Sequence, residues 1–301
     1  MLPNFLVVGA GRSGTTSLHH YLLQHREVYL PGVKSPSYFY CHGLPQQEDH
    51  VHGRVTRDYF IPDTAAYEAL FDGVQEESAI GEVSPAYLAS MQAIQHIADK
   101  IPSVKTVIIL RNPVERFYAR YVARHRDGLE LLETVEALLV EERKQPFIKD
   151  EAVGTYLSAG FCSHFIEAYM ERFSREQMHL TFFDDLEANA PEYMRKLFEF
   201  LEVCPDFEPD LSKRENVSGG SIRNPFLRVI WTKSAMARVA IRPYVPKGLR
   251  DLLFRRITRN IVSEPLHSGT RLELEGIYRS EIEKLQTLTG RDLAHWLQYS
   301  R

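Results

Sequence analysis

The chain has 301 residues, 44% hydrophobic and 25% charged, with a formal net charge of −4. That length can bury one large α/β core or two small ones, and the slightly acidic balance excludes the global basic field of a nucleic-acid binder. Cys41, Cys162 and Cys204 are scattered and form no Cys-x-x-Cys pair, so neither a disulfide framework nor a zinc site is predicted.

The first element is the most informative. Phe5 to Val8 is a short apolar run rich in β-branched residues, Gly9-Ala-Gly-Arg-Ser-Gly14 follows at once, and Leu18, Tyr21 and Leu22 fall at helical spacing. Strand, glycine turn and helix in this order aim backbone N–H groups outward at a helix N-terminus, where the dipole also favours negative charge. Ser13, Thr15, Thr16 and Ser17 add hydroxyls, and Arg12 adds a permanent cation. The predicted ligand is a phosphate-like anion.

Three loops fit the same residues. Gly9, Gly11 and Gly14 satisfy the dinucleotide pattern G-x-G-x-x-G, yet the next strand, Val28-Tyr-Leu30, runs into basic Pro31-Gly-Val-Lys34 instead of a ribose-binding acid. A nucleoside-triphosphatase loop would carry Lys before its hydroxyl residue, and Thr15-Thr16 stand there, which argues against γ-phosphate transfer. A loop for a 5′-phosphosulfate needs only backbone donors, hydroxyls and one cation. GRSGTTSL, Gly11 to Leu18, resembles that loop in sulfotransferases that use 3′-phosphoadenosine-5′-phosphosulfate (PAPS). A P-loop kinase and a non-catalytic nucleotide-binding relative are the alternatives.

Lys34-Ser-Pro-Ser-Tyr-Phe39 is read as an extended loop, and it resembles the family's Lys-Glu-Pro-His-Phe-Phe, with Ser35 in place of the glutamate that serves as base in several members. Residues 41–75 read as a polar substrate loop; His50-x-His52 lacks a third ligand, so no metal is expected. Ile80 is read as the end of a strand, with Glu82 just beyond it before a helix starting at Ser84-Pro85. Gly81-Glu-Val-Ser-Pro-Ala-Tyr87 resembles Gly-Glu-Lys-Ser-Pro-Ala-Tyr, with Val83 in place of lysine.

Ser103-Val-Lys-Thr-Val-Ile-Ile-Leu110 is a largely apolar run, read as a buried parallel strand. Arg111-Asn-Pro-Val-Glu-Arg116 follows it, placing an arginine at the entrance of a helix as a second anion seat. It resembles the family's 3′-phosphate motif, with Ala119 in place of a serine. Further on, a helix over 160–173, a strand over Met178–Phe183, a helix from Asp184 to Leu201 and an amphipathic helix from Gly269 are predicted.

Between Ser212 and Asn260, twelve Lys or Arg stand against only Glu215 and Asp251. This basic segment is read as a lid or insert, with peripheral contact to an anionic membrane as another use.

The expected architecture is a single α/β domain over 1–301, a P-loop-like three-layer sandwich with a central parallel sheet, helices on both faces and the late basic lid at 212–260. The resemblance, nearest to bacterial enzymes related to the heparan-type carbohydrate group, implies sulfuryl transfer from PAPS to a hydroxyl or amine of a glycan or small metabolite. It implies that Arg12, Ser13, Gly14, Thr15, Thr16 and Ser17 hold the 5′-phosphosulfate, that Arg111 holds the 3′-phosphate, and that Arg271 touches the nucleotide. Arg12 or Lys34 would neutralise the leaving oxygen, and Glu82 would be the base, with His19 or His20 behind it. The product would be 3′,5′-bisphosphoadenosine, with no metal required. The first strand begins too early for a secretion signal and no apolar run spans a membrane, so a cytoplasmic location is expected.

Overall fold

The computed structural model describes residues 1–43, 50–51, 54–55, 60–127, 129–145, 147, 149–150, 153, 155–212, 221–222, 261–262 and 265–300. Five parallel strands form the centre: β1 (Phe5–Gly9), β2 (Val28–Tyr29), β3 (Ala79–Val83), β4 (Lys105–Leu110) and β5 (Met178–Phe182), in the order β2-β3-β1-β4-β5. The registers are Leu6 opposite Glu82 on one side of β1 and Val7 opposite Val107 on the other.

The helices are α1 (Thr15–Leu22), α2 (Tyr38–Cys41), α3 (Thr64–Ala69), α4 (Met91–Lys100), α5 (Pro113–Asp127), α6 (Val135–Lys144), α7 (Ser163–Arg172), α8 (Phe183–Ala188), α9 (Ala190–Leu201) and α10 (Ser268–Thr289). Strand side chains alternate between faces, and that period sorts them into two cores. Phe5, Val7, Val107 and Ile109 pack with Leu18 and Leu22 of α1 and with Met194, Leu197 and Phe198 of α9. Leu6, Val8, Ile108 and Leu110 pack on the other face with α4, α5, α7 and α10, through Ile94, Phe117, Phe165 and Tyr278. Two layers of helices around a parallel sheet give the expected three-layer sandwich.

Several boundaries differ from expectation, each for a packing reason. β3 does not stop at Ile80; it runs through Glu82 to Val83, because Gly81 lies against the Phe5 ring and needs no side-chain volume of its own. The helix expected from Ser84-Pro85 starts later, at Met91, where the Ser90 side chain accepts from the N–H of Ala93 and a short 3-10 turn fills the gap. Tyr38 to Tyr40, expected in the extended loop, form one buried helical turn with Cys41, and the polar stretch before β3 contains α3, capped by Asp63. The helix over 184–201 is two helices, α8 and α9, separated at Asn189, whose side chain accepts from the N–H of Glu192.

Of the basic segment, 213–220 and 223–260 lie outside the described residues, as does His52. A two-stranded antiparallel ribbon, Ser221–Ile222 with Ile261–Val262, closes the base of the segment.

A Cβ at Gly81 would sit 2.3 Å from the buried Phe5 ring. Gly81→Ala is therefore expected to cost about 1–3 kcal/mol by overpacking, read as a lower urea midpoint at unchanged slope.

Candidate functional site

All five strands aim their carboxyl ends at one edge, where open α/β sheets place their ligands. Four of them hand over to a segment singled out in the sequence, the glycine loop after β1, Lys34–Phe39 after β2, Ser84–Tyr87 after β3 and Arg111 after β4, while β5 hands over to Phe183.

The glycine loop sets the stage. Gly14 opens α1 at φ 91°, a left-handed conformation, and a Cβ there would lie 2.9 Å from the Phe183 ring. Only glycine meets both conditions. Gly14 brings no side chain to cap the first-turn amides of α1, so the positive end of the helix faces the loop. Ser13 is fully buried, and its Oγ has no hydrogen-bond partner among the described residues. A buried orphan hydroxyl inside such a loop fits an oxyanion that would accept from it.

Two cations meet this loop, Lys34 from the segment after β2 and Arg111 from the end of the adjacent β4. Lys34 Nζ donates to Thr16 Oγ1 at 2.8 Å. Arg111 Nη1 donates to the carbonyl of Arg12 at 3.1 Å, and its guanidinium lies 4.6 Å from the Phe183 ring centre. Burial lowers the Arg111 pKa, while Glu115, Glu187 and Asp184 oppose that shift. Phe183 thus touches both Gly14 and Arg111, a role that sequence reasoning did not assign to it.

A cleft of about 250 Å³ opens beside Arg111, lined also by Glu115, Tyr118, Ala119, Leu266 and Arg271. Arg271, from the first turn of α10, reaches Glu115 at 2.5 Å. Arg111 and Arg271, far apart in sequence, therefore share one cleft, and Ala119 stands in its wall.

Glu82 is placed differently from a loop residue. It lies within β3, is 1% exposed, and accepts from Tyr87 Oη at 2.5 Å, Ser84 Oγ at 2.5 Å and Tyr67 Oη at 3.0 Å. Burial pushes its carboxyl up to about 7, with the three hydroxyl donors pulling the other way. Tyr67 comes from α3, and nothing in the motif around Glu82 signals it. His19, the second choice for a base, lies on the half-buried side of α1; burial and the nearby Lys34 and His20 bring it down to about 4, so it is neutral at pH 7. His20 stands beside it on the same helix.

Sequence reasoning also passed over a stripe on α5. Arg116, Arg120 and Arg124 recur every four residues on one face, a spacing that was legible. Arg116 Nη2 donates to the Tyr156 carbonyl, Arg124 Nη2 donates to the Leu129 carbonyl at 3.3 Å, and Arg120 lies 5.4 Å from the Tyr156 ring centre. Burial lowers Arg120 to about 9, helped by Arg124 and Arg116, and Arg12 is among the charges it feels. Among the described residues, no three His, Cys, Asp or Glu side chains gather as a metal site.

A parallel α/β sheet with a glycine loop after its central strand and an arginine after the adjacent one defines a P-loop-like α/β fold. The sulfotransferase-family profile matches residues 3–206. The chain belongs to the sulfotransferase family. A solved sulfotransferase from Alicyclobacillus acidocaldarius is 28% identical, with a TM-score of 0.73 over 98% of this chain and 99% of that one. Carbohydrate sulfotransferase 15 of Mus musculus is 24% identical over 269 residues, covering 74% of this chain and 48% of the relative. The human bifunctional heparan sulfate N-deacetylase/N-sulfotransferase 2 is 25% identical over 210 residues, 68% of this chain and 22% of that protein. The chain spans half or less of the length of these two curated relatives.

The raised Glu82 carboxyl has a measurable signature. Its ordinary value is 4.5, so between pH 4.5 and about 7 the native state keeps a proton that the unfolded chain has lost. Raising pH through that window therefore lowers stability. His19 and His179, both lowered to about 4 by burial, give the opposite slope. They cancel when wild type is compared with Glu82→Gln. The stability of wild type relative to that variant is expected to fall by about 3 kcal/mol across the window, measured by urea unfolding at both ends.

Proposed function

We propose that the chain transfers a sulfuryl group from PAPS to a hydroxyl or amine of an acceptor, a carbohydrate or a small metabolite. The observation that carries this reading is the contact between the two anion seats: Arg111 bonds the backbone of Arg12, inside the very loop that heads α1. One nucleotide with phosphate groups at both ends can reach both seats, which a single phosphate loop would not require. Membership of the sulfotransferase family supports the same donor, and the carbohydrate and heparan sulfate relatives favour a glycan acceptor.

In this reading the α1 N-terminus, with Arg12, Ser13, Thr15, Thr16 and Ser17, holds the 5′-phosphosulfate. Gly14 keeps the loop close to the ligand. Arg111 and Arg271 hold the 3′-phosphate in the cleft, and Ala119 offers no hydroxyl there. The donor supplies an activated sulfur: its bond to the 5′-phosphate oxygen breaks and 3′,5′-bisphosphoadenosine departs, a bond from sulfur to the acceptor oxygen or nitrogen forms, and the acceptor's proton passes to solvent water. Lys34, fixed beside Thr16, and Arg12 meet the charge that collects on the departing phosphate oxygen. Such fixed donors cost no reorganisation during the reaction, so positioning and charge supply most of the rate.

The direct test is release of 3′,5′-bisphosphoadenosine from PAPS in the presence of glycan, alcohol and amine acceptors, followed by chromatography. Arg111→Ala is expected to weaken 3′,5′-bisphosphoadenosine about 10- to 100-fold, the scale of hydrogen bonds to a charged group, while barely changing the 5′-monophosphate. Calorimetric titration reads both, and equal wild-type affinity for the two nucleotides would count against the assignment. Lys34→Ala is expected to lower kcat about 100- to 1000-fold, with nucleotide affinity changed far less.

A further inference from the structure

Glu82 looks, by its motif, like a group that would act on the acceptor, yet its surroundings suit another task. Its three donors each reach the segment that carries Lys34. Ser84 Oγ gives its proton to Glu82 and accepts from the N–H of Ser37 at 3.0 Å. Tyr87 Oη gives its proton to Glu82 and accepts from the N–H of Phe39 at 3.4 Å. Tyr67 donates to Glu82 and stacks on Tyr38, ring centres 4.2 Å apart and 10° from parallel.

A hydroxyl has one proton and two lone pairs. Turned toward a carboxylate, the proton leaves the lone pairs to face the backbone N–H groups of the loop. Above about pH 7, where Glu82 is ionised, its carboxylate thus sets the direction of all three hydroxyls at once.

The segment needs such holding. Ser35 and Ser37 both sit in left-handed conformations, at φ 59° and 53°, which non-glycine residues keep only where the surroundings over-determine them. Ser35 is further tied to the end of β3, its N–H donating to the Val83 carbonyl at 3.1 Å and its Oγ to the same oxygen at 3.2 Å. Next to this strained stretch stands Lys34, with its ammonium at Thr16 in the first turn of α1.

We propose that Glu82 is a positioning residue whose buried carboxylate orients Ser84, Tyr87 and Tyr67 so that they hold Lys34–Phe39 and fix the Lys34 ammonium at the anion loop. The consequence for catalysis rests on the sulfuryl-transfer reading; the effect on Lys34 itself does not.

The experiment has two arms on the full chain. In the first, wild type and Glu82→Gln are labelled with trace acetic anhydride without nucleotide, and acetylation of Lys34 is compared with that of Lys105 and Lys284 by mass spectrometry. Lys34 is expected to become about tenfold more reactive, the scale of one hydrogen bond to a charged group, with the reference lysines unchanged. Unchanged Lys34 labelling overturns the proposal, whether or not the protein transfers sulfuryl groups. Should Glu82→Gln fail to fold, Tyr87→Phe takes its place, with an expected rise of about threefold from one neutral hydrogen bond.

In the second arm, kcat is measured for Glu82→Gln, Lys34→Ala and the double variant. The double variant is expected to be no slower than Lys34→Ala, because Glu82 works through that lysine. Multiplicative losses would make Glu82 an independent participant and overturn the proposal. Absence of transfer in wild type would instead defeat the functional reading, leaving the labelling arm to decide the role of Glu82.

Discussion

The hydrogen bond from Arg111 to the carbonyl of Arg12 is the constraint on which the site depends. It exists because β1 and β4 are parallel neighbours whose chains leave the sheet at the same edge, with Ala10 N–H still bonded to the Ile109 carbonyl one step earlier. Arg12 stands in a left-handed conformation at φ 71°, which turns its backbone within reach of the neighbouring strand's arginine. Phe183, from the end of β5, fills the space behind both groups. Three strands therefore fix one short distance, and the relative placement of the loop and Arg111 is set by the sheet.

Holding that many cations at one edge has an electrostatic cost, and the structure shows how part of it is offset. Arg111 is lowered by burial and supported by Glu115, Glu187 and Asp184. Glu115 also pairs with Arg271, so one carboxylate serves two arginines across the cleft. Asp184 lies 2.7 Å from His295 Nε2 and accepts from Trp296 Nε1, also at 2.7 Å; Asn112 Nδ2 donates to the Trp296 carbonyl at 3.1 Å. Residues 295–296 are thereby stitched to β4 and β5 at the edge where Arg12 and Arg111 meet. Buried charges persist when they are paired and hydrogen-bonded, and these side chains are arranged accordingly.

Much of this was legible from residue order alone. The glycine loop after β1, the apolar run of β4 and the arginine at its end could be placed because strand and helix periods, and the shift between them, are local properties. What was not legible needed a partner from elsewhere. Ile80 is read as a strand end, and Gly81 after it is a residue type that weakens strands. The Phe5 ring, brought alongside by parallel pairing, supplies the missing volume and lets β3 run on through Glu82. Tyr67 could not be connected to Glu82 from its own surroundings, because α3 is delivered by a stretch whose polarity suggested only loop. Tyr38 to Cys41 became helical for a similar reason: four buried side chains in a row pack better around a turn than along an extended segment when Tyr67 stacks on Tyr38 and meets Phe39 edge-on.

The departures from the family pattern fit one another once the geometry is considered. Val83 is 1% exposed and belongs to the apolar cluster on the α1 and α9 face. A lysine there would start from a buried backbone position among aliphatic side chains, and its ammonium would need a path to water that this packing does not leave. Ser35, which replaces a glutamate in the resembled motif, has its hydroxyl and its N–H on the Val83 carbonyl. A short hydroxyl can turn back to the strand end in this left-handed conformation, whereas a longer carboxylate has no proton to give to that carbonyl and would be repelled by it. Positions 35 and 83 thus act as a pair: an apolar strand end and a serine folded onto it together carry the loop that presents Lys34.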